Sequence, residues 1–197
     1  MIGIRTISYF SLKLSTILYN ALNYFSIIYL WKINIGSNCL FNGKMILFKS
    51  QNSTIKIGDS CTFISKSDGM NLIGINRACI LATKAENASI KIGNNCGFSG
   101  SAISSFVSVE IGNNVMCGAN TFITDSDWHP EDSRSGIPKS VKIGNNVWLG
   151  LNVIVLKGVT IGENTVVGAN SVVTKSLPPN VVAAGNPCKI IRTLIRE

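Results

Sequence analysis

The chain of 197 residues carries one histidine, His129, in the polar stretch Thr124-Asp-Ser-Asp-Trp-His-Pro-Glu-Asp-Ser-Arg-Ser-Gly-Ile-Pro-Lys-Ser140. Imidazole is the side chain that ordinarily gains and loses a proton near neutral pH, so a histidine in such a loop can move protons. The acids at hand are Asp125, Asp127, Glu131 and Asp132. The other reactive side chains are six cysteines: Cys39, Cys61, Cys79, Cys96, Cys117 and Cys188. No two are spaced as CxxC, and with a single histidine available a zinc site is not expected.

Composition describes the scaffold that must hold these groups. Apolar residues make up 46% of the chain and charged residues 14%, which suits a packed core and argues against disorder. The length suggests one domain with a short appendage. A net charge of +8 points to an anionic partner such as nucleic acid, an acidic lipid surface or a phosphorylated cofactor. The basic residues are scattered without a run that would grip nucleic acid, so no nucleic acid is expected.

Internal repetition sets the fold. Ile-Gly followed by two polar residues recurs at Ile35, Ile57, Ile92, Ile111, Ile143 and Ile161, with a weaker copy at Ile75-Asn76-Arg77-Ala78. From Ile57 onward the steps are 18, 17, 19, 32 and 18. A step of 18 is three hexapeptides, and the six-residue unit is clearest from Ile143 to Val172. Each hexapeptide reads as one wall of a triangular coil. Its bulky aliphatic points inward, its small fifth residue points inward too, and Gly and Asn take the corner at positive φ. One coil cannot bury its own face, so coils must stack. Cys39, Cys61, Cys79 and Cys96 fall at fifth positions and are expected to form one inward column continued by Val115, Val147 and Thr165. As small buried side chains they need no oxidation, which suits a reducing compartment. The step of 32 implies about fourteen residues extruded between Ile123 and Val141, and binding residues commonly sit on such loops over a rigid scaffold.

The stretches Asp125-Ser-Asp-Trp-His129-Pro130, Ile143-Gly-Asn-Asn-Val-Trp148-Leu-Gly150, Val173-Thr-Lys175 and Pro178-Pro-Asn-Val-Val-Ala-Ala-Gly185-Asn-Pro-Cys-Lys-Ile-Ile-Arg192 resemble those of the hexapeptide-repeat acyltransferases. Within them the chain looks like the galactoside and maltose O-acetyltransferases and the O-acetyltransferases of bacterial surface polysaccharides. The resemblance covers residues 35 to 197. It implies an all-β fold, a left-handed parallel β-helix with a short N-terminal helix and an extruded loop. It also implies a homotrimer with active sites between neighbouring prisms, and transfer of acetyl from acetyl-CoA to a saccharide hydroxyl in O-antigen, capsule or exopolysaccharide synthesis. On this resemblance His129 is the general base, suited by its pKa to take a proton from the attacking hydroxyl. Asp127 is the first choice to orient it. Asp125 and its neighbours equally suit acceptor hydroxyls or a solvated loop. Trp148 would lie beside the acceptor and the pantetheine arm, and Gly150, Gly168 and Ala169 would leave room for that arm. Thr174 and Lys175 would stand near the nucleotide end, with Lys189 and Arg192 at the phosphates. Ser99 stands where the galactoside enzymes carry an Asn that holds the acceptor, and Leu151 replaces a hydroxyl residue of some relatives.

Residues 1–33 form an apolar helical segment ahead of a β-helix domain at 34–197, which includes the loop 124–140 and a C-terminal tail at 178–197. From Leu14 to Trp31 there is no charge, and that length approaches a membrane span. Thr16, Asn20, Asn23 and Ser26 or Ile27 follow helical spacing as a polar stripe. The first expectation is a helix packed on the prism or the trimer. The second is an interfacial membrane helix, and a true span comes last. No signal-peptide pattern stands at the N-terminus, so the expected location is cytoplasmic, at the inner face of the membrane in the interfacial case. Two other functions fit the repeat: an amino-sugar N-acyltransferase of the same fold, and a non-catalytic β-helix that binds a partner.

Overall fold

The computed structural model describes residues 4–67, 71–129 and 131–194, with side chains from Leu14 onward. Pro130 of the expected motif, Ile2 and Gly3, the side chains of Arg5 and Lys13, and the end of the C-terminal tail lie outside the described residues. Helix α1 (Ile4–Phe25) and a π-helical turn (Ser26–Leu30) lead into a prism of short strands. The strands fall into three sheets, one per face. The first runs from Asn34–Ile35 through Ser89–Ile92 to Thr160–Ile161, six strands in all. The second runs from Leu40–Asn42 through Gly97–Ser99, Met116–Cys117 and Trp148–Leu149 to Val166–Val167, and then takes up two strands of the tail. The third joins Ile46–Lys49, Ile80–Thr83, Ala102–Ser105, Phe122–Thr124, Ile154–Val155 and Val172–Val173. Pairing is parallel from coil to coil. Among the described residues the one antiparallel pair is at the end, where Lys189–Thr193 folds back on Val181–Ala184.

The repeat residues do what their positions demand, with one reassignment. At the first corner the positive φ falls on Asn38, Ser60, Asn95, Asn114, Asn146 and Asn164, not on the glycines two residues earlier. Those glycines are required for space instead. A Cβ on Gly112 would stand 2.6 Å from Asn145 Oδ1, and one on Gly144 would stand 2.7 Å from the backbone N of Glu163. The asparagines then hydrogen-bond up the corner, Asn114 Nδ2 to Asn146 Oδ1 and Asn146 Nδ2 to Asn164 Oδ1, both at 3.0 Å.

That space requirement also corrects the reading of the weak copy at Ile75. Ile57 stands in register with Ile92, so the two steps of 18 and 17 are a single coil. The described residues 65–67 and 71–79 leave between the second-face strand Thr62–Ile64 and the third-face strand Ile80–Thr83 as a second extruded loop. Ile75 is buried, yet Asn76 follows it where every stacked coil has glycine, so this segment cannot stack as a wall. Cys79 accordingly leaves the predicted column. Its thiol donates toward the carbonyls of Ile64 and Phe98 at another corner, whereas Cys39, Cys61 and Cys96 point their thiols to successive glycine carbonyls of one column. All six cysteines are free thiols. Beside that column Phe41, Phe63 and Phe98 stack at 5.4 and 5.0 Å between centroids, and each such pair contributes about 1 kcal/mol beyond burial.

The polar stripe of α1 caps the open end of this stack. Asn20 Oδ1 accepts from the Phe41 N–H at 2.6 Å, and Asn23 Oδ1 accepts from the Met45 N–H at 3.0 Å. Asn23 Nδ2 donates to the Gly43 carbonyl at 3.0 Å, and Thr16 Oγ1 accepts from Asn42 Nδ2 at 3.2 Å. The first coil would otherwise expose unpaired backbone on that edge. The helix therefore packs on the prism, and among the described residues no helix is long and apolar enough to cross a membrane.

Candidate functional site

The loop at 124–140 is anchored at its root. Asp125 is fully buried, and its carboxylate accepts from the Ser105 hydroxyl at 2.9 Å and from the N–H groups of Phe106, Val107 and Ser108 at 2.6 to 2.8 Å. Asp125 thus stitches the loop to the previous coil. It cannot meet an acceptor hydroxyl, because it has no exposed surface and its oxygens are already engaged. Trp128 sits at φ 72 with its ring edge-on to Phe106 at 5.8 Å.

Asp127 does not stand beside His129 as expected. Its carboxylate pairs with the Lys157 ammonium and accepts from the Gly136 N–H at 2.9 Å. Lys157 first and the Gly136 N–H second hold this carboxyl below the usual range. The acid beside the imidazole is Glu131, with Oε1 at 3.3 Å from His129 Nδ1. Its own backbone N–H first and the imidazole second lower the Glu131 carboxyl. Both side chains are 73% exposed, so this contact orients the ring only weakly. His129 therefore stands out in solvent on a loop held firmly at its base.

A groove of about 430 Å³ lies elsewhere, on the second face. Its floor is Gly97, Phe98 and Ser99, and its walls are Met116 and Trp148. A Cβ on Gly97 would stand 2.7 Å from Met116 Sδ, so glycine lets that side chain lie flat. Trp148 is in register with Met116 and exposed. Ser99 is buried, and its hydroxyl accepts from Asn71 Nδ2 at 3.0 Å. Asn71 comes from the second extruded loop, and sequence reasoning misses it because that loop counts as a coil in the repeat. The signal is present in Asn76, which breaks the glycine rule. Arg77 pins the loop by donating to the carbonyls of Gly100, at 2.9 Å, and Asn120. A larger groove of about 630 Å³ on the first face, along Lys91, Glu110, Lys142 and Thr160, holds none of the expected residues.

The structure therefore brings Ser99 and Trp148 together and leaves His129 outside their groove. Gly150 and Gly168 lie on the second corner. A Cβ there would stand 2.7 Å from the Ala169 N or 2.9 Å from the Ala184 Cβ, so coil stacking by itself demands glycine. Ala169 is exposed, as are Thr174 and Lys175 on the turn after Val172–Val173 and Lys189 and Arg192 on the final strand. Among the described residues no group of His, Cys, Asp and Glu could hold a metal ion.

The fold is a parallel three-faced β-helix with asparagines at its corners and His129 on an extruded loop. The family described as bacterial transferase hexapeptide (six repeats) matches residues 140–175, and the hexapeptide repeat of succinyl-transferase matches residues 89–125. Both matched stretches are hexapeptide-repeat sequence, in keeping with the three parallel sheets of the prism. It is 43% identical over 91 residues to the galactoside O-acetyltransferase of Escherichia coli K12, covering 44% of this chain and 45% of that one. It is 44% identical over 108 residues to WbbJ of the same strain, provisionally named a lipopolysaccharide biosynthesis O-acetyl transferase, covering 48% and 55%. The matched stretch is thus about half the length of these relatives. Among solved structures a point mutant of AntD, an N-acyltransferase from Bacillus cereus, in complex with dTDP-4-amino-4,6-dideoxyglucose and coenzyme A, superposes with a TM-score of 0.67. It is 21% identical, covering 90% of this chain and 89% of that one.

Proposed function

We propose that this chain is an acetyl-CoA-dependent O-acetyltransferase that acts on a saccharide hydroxyl in bacterial surface-polysaccharide synthesis, as a homotrimer. The observation that carries the reading is His129, the sole histidine, displayed to solvent by a loop whose root is fixed through buried Asp125. The names of the relatives support O-acetyl transfer. Acetyl-CoA supplies an activated thioester. The open second-face groove, with Met116 and Trp148 as walls, fits an extended arm, and the exposed Lys175, Lys189 and Arg192 fit an anionic nucleotide end.

In this reading His129 takes the proton of the acceptor hydroxyl as that oxygen attacks the thioester carbonyl, then returns it to the departing sulfur. Glu131 supports the imidazolium while it carries the proton. Ser99 and Asn71 hold the acceptor by hydrogen bonds at the groove floor. A backbone N–H at the groove edge stabilises the oxyanion. Because His129 is outside its own chain's groove, the loop of one copy would complete the groove of the next. That arrangement makes the trimer part of the catalytic unit.

The test is acetyl-CoA turnover with a panel of saccharide acceptors, comparing the wild type with His129→Ala. A fall of about two orders of magnitude or more at unchanged folding supports the general base. Unchanged turnover removes it. The same panel with amino-sugars separates O- from N-acyl transfer, and no turnover with any acceptor would favour a binding prism.

A further inference from the structure

Helix α1 is inverted relative to an ordinary surface helix. Thr16, Asn20 and Asn23 occupy one face, continued by Ile27 of the π-helical turn, and that face is pressed on the first coil. The opposite face carries Leu14, Leu18, Leu22 and Phe25, continued by Tyr29 of the π-helical turn, each more than half exposed. Leu30 and half-buried Trp31 follow, and Trp31 meets the ring of exposed Phe48 at 6.4 Å, which extends the apolar surface onto the third face. The backbone of the first coil has consumed the polar stripe, so the greasy side is what the cap offers outward. Patches of this extent on a described surface mark a docking site.

The charge pattern chooses the occupant. Residues 1–58 contain Arg5, Lys13, Lys32, Lys44, Lys49 and Lys56 and no Asp or Glu. Lys32 follows the helix directly and is exposed. Lys44 is exposed on the turn that Asn23 grips, and the Lys66 ammonium lies 5.4 Å from the Tyr19 ring. A second copy of the same cap would bring cation against cation. An anionic bilayer satisfies both features at once, taking the apolar side chains at the acyl boundary and the lysines among its headgroups.

We infer that the outer face of α1 is an interfacial membrane anchor for anionic lipid, which lays the N-terminal end of the prism on the bilayer. The helix lies in the surface and does not cross it. This inference stands on the cap alone and is independent of the acyl-transfer reading.

The experiment is co-sedimentation of the full chain with vesicles of phosphatidylglycerol and phosphatidylcholine, against vesicles of phosphatidylcholine alone, across a salt series. The wild type should bind the anionic vesicles and be released progressively by salt. The pair Leu18→Glu and Leu22→Glu should weaken binding by about tenfold or more while acetyl-CoA turnover stays unchanged. The pair Lys32→Gln and Lys44→Gln, which leaves the apolar face intact, should weaken binding by about fivefold or more and flatten the salt dependence. Equal binding to both vesicle types, or no binding to either, would overturn the inference. So would a wild-type assembly that the leucine variants halve in mass without any change in lipid binding, since the face would then belong to a second copy.

Discussion

The prism extrudes two loops, and they do opposite things. The described residues 65–67 and 71–79 connect the second face to the third. Arg77 and Asn120 tie them back, and Asn71 drops into a groove of the same chain. Residues 124–140 pass from the third face to the first. Asp125 fixes them at the root, and they hold His129 outside the grooves of the first and second faces. One loop shapes a site inward and the other presents a group outward. On the proposed function, the rigid solenoid separates the base from the groove in this way, and assembly of copies would reunite them.

The contrast can be broken first at His129. His129→Ala should cost about 100- to 10,000-fold in turnover while the unfolding midpoint stays in place, because the ring is exposed and only weakly held by Glu131. An equal loss in Glu131→Gln would mean that the weakly held ring needs its acid more than the geometry implies. Next comes the root. Asp125→Ala strands three backbone N–H groups in a buried site, and denaturant unfolding should show a loss of about 3 kcal/mol, with turnover falling as well. A neutral result would show that the loop does not depend on that carboxylate.

The inward loop should respond more mildly. Asn71→Ala removes one hydrogen bond at the groove floor, and the acceptor KM should rise about three- to tenfold with kcat nearly constant. Arg77→Ala should mimic it, because the loop loses its tie. A kcat effect as large as that of His129→Ala would erase the distinction between the loops. The smallest effect concerns Asp127. Its folded carboxyl is held low by Lys157, so its contribution is present above the ordinary carboxylate range and is lost as pH falls through the lowered value. Protease nicking within 124–140 should therefore rise in acid, and Asp127→Asn should nick at a constant rate across that range.

Much of this is legible in the residues. The Ile-Gly-x-Asn spacing implies three walls, the step of 32 implies the loop at 124–140, and the tail's basic residues stand on the surface. The loop at 65–79 stays hidden because Ile75 sits almost on the repeat and its buried side chain mimics a wall residue. Only Asn76, where backbone contact excludes a Cβ, betrays it. Asp125 and Asp127 cannot be told from acceptor ligands or a catalytic partner in the sequence, because proximity to His129 along the chain says nothing of direction. One turns inward to three N–H groups, and the other reaches a lysine thirty residues on. The stripe on α1 is visible, but which side it faces is decided by the unpaired edge of the first coil.

The central claim is that the imidazole of one copy serves the groove of another, and mixing two crippled proteins tests it directly. His129→Ala supplies an intact groove, and the double variant Asn71→Ala with Trp148→Ala supplies an intact loop. Unfolded, mixed in equal amounts, reassembled and assayed with acceptor far below the wild-type KM, where the groove variant turns over slowly, the pair should recover about a quarter of wild-type turnover, the share of interfaces that join a sound loop to a sound groove. Turnover no greater than the mean of the two parents would contradict a site shared between copies.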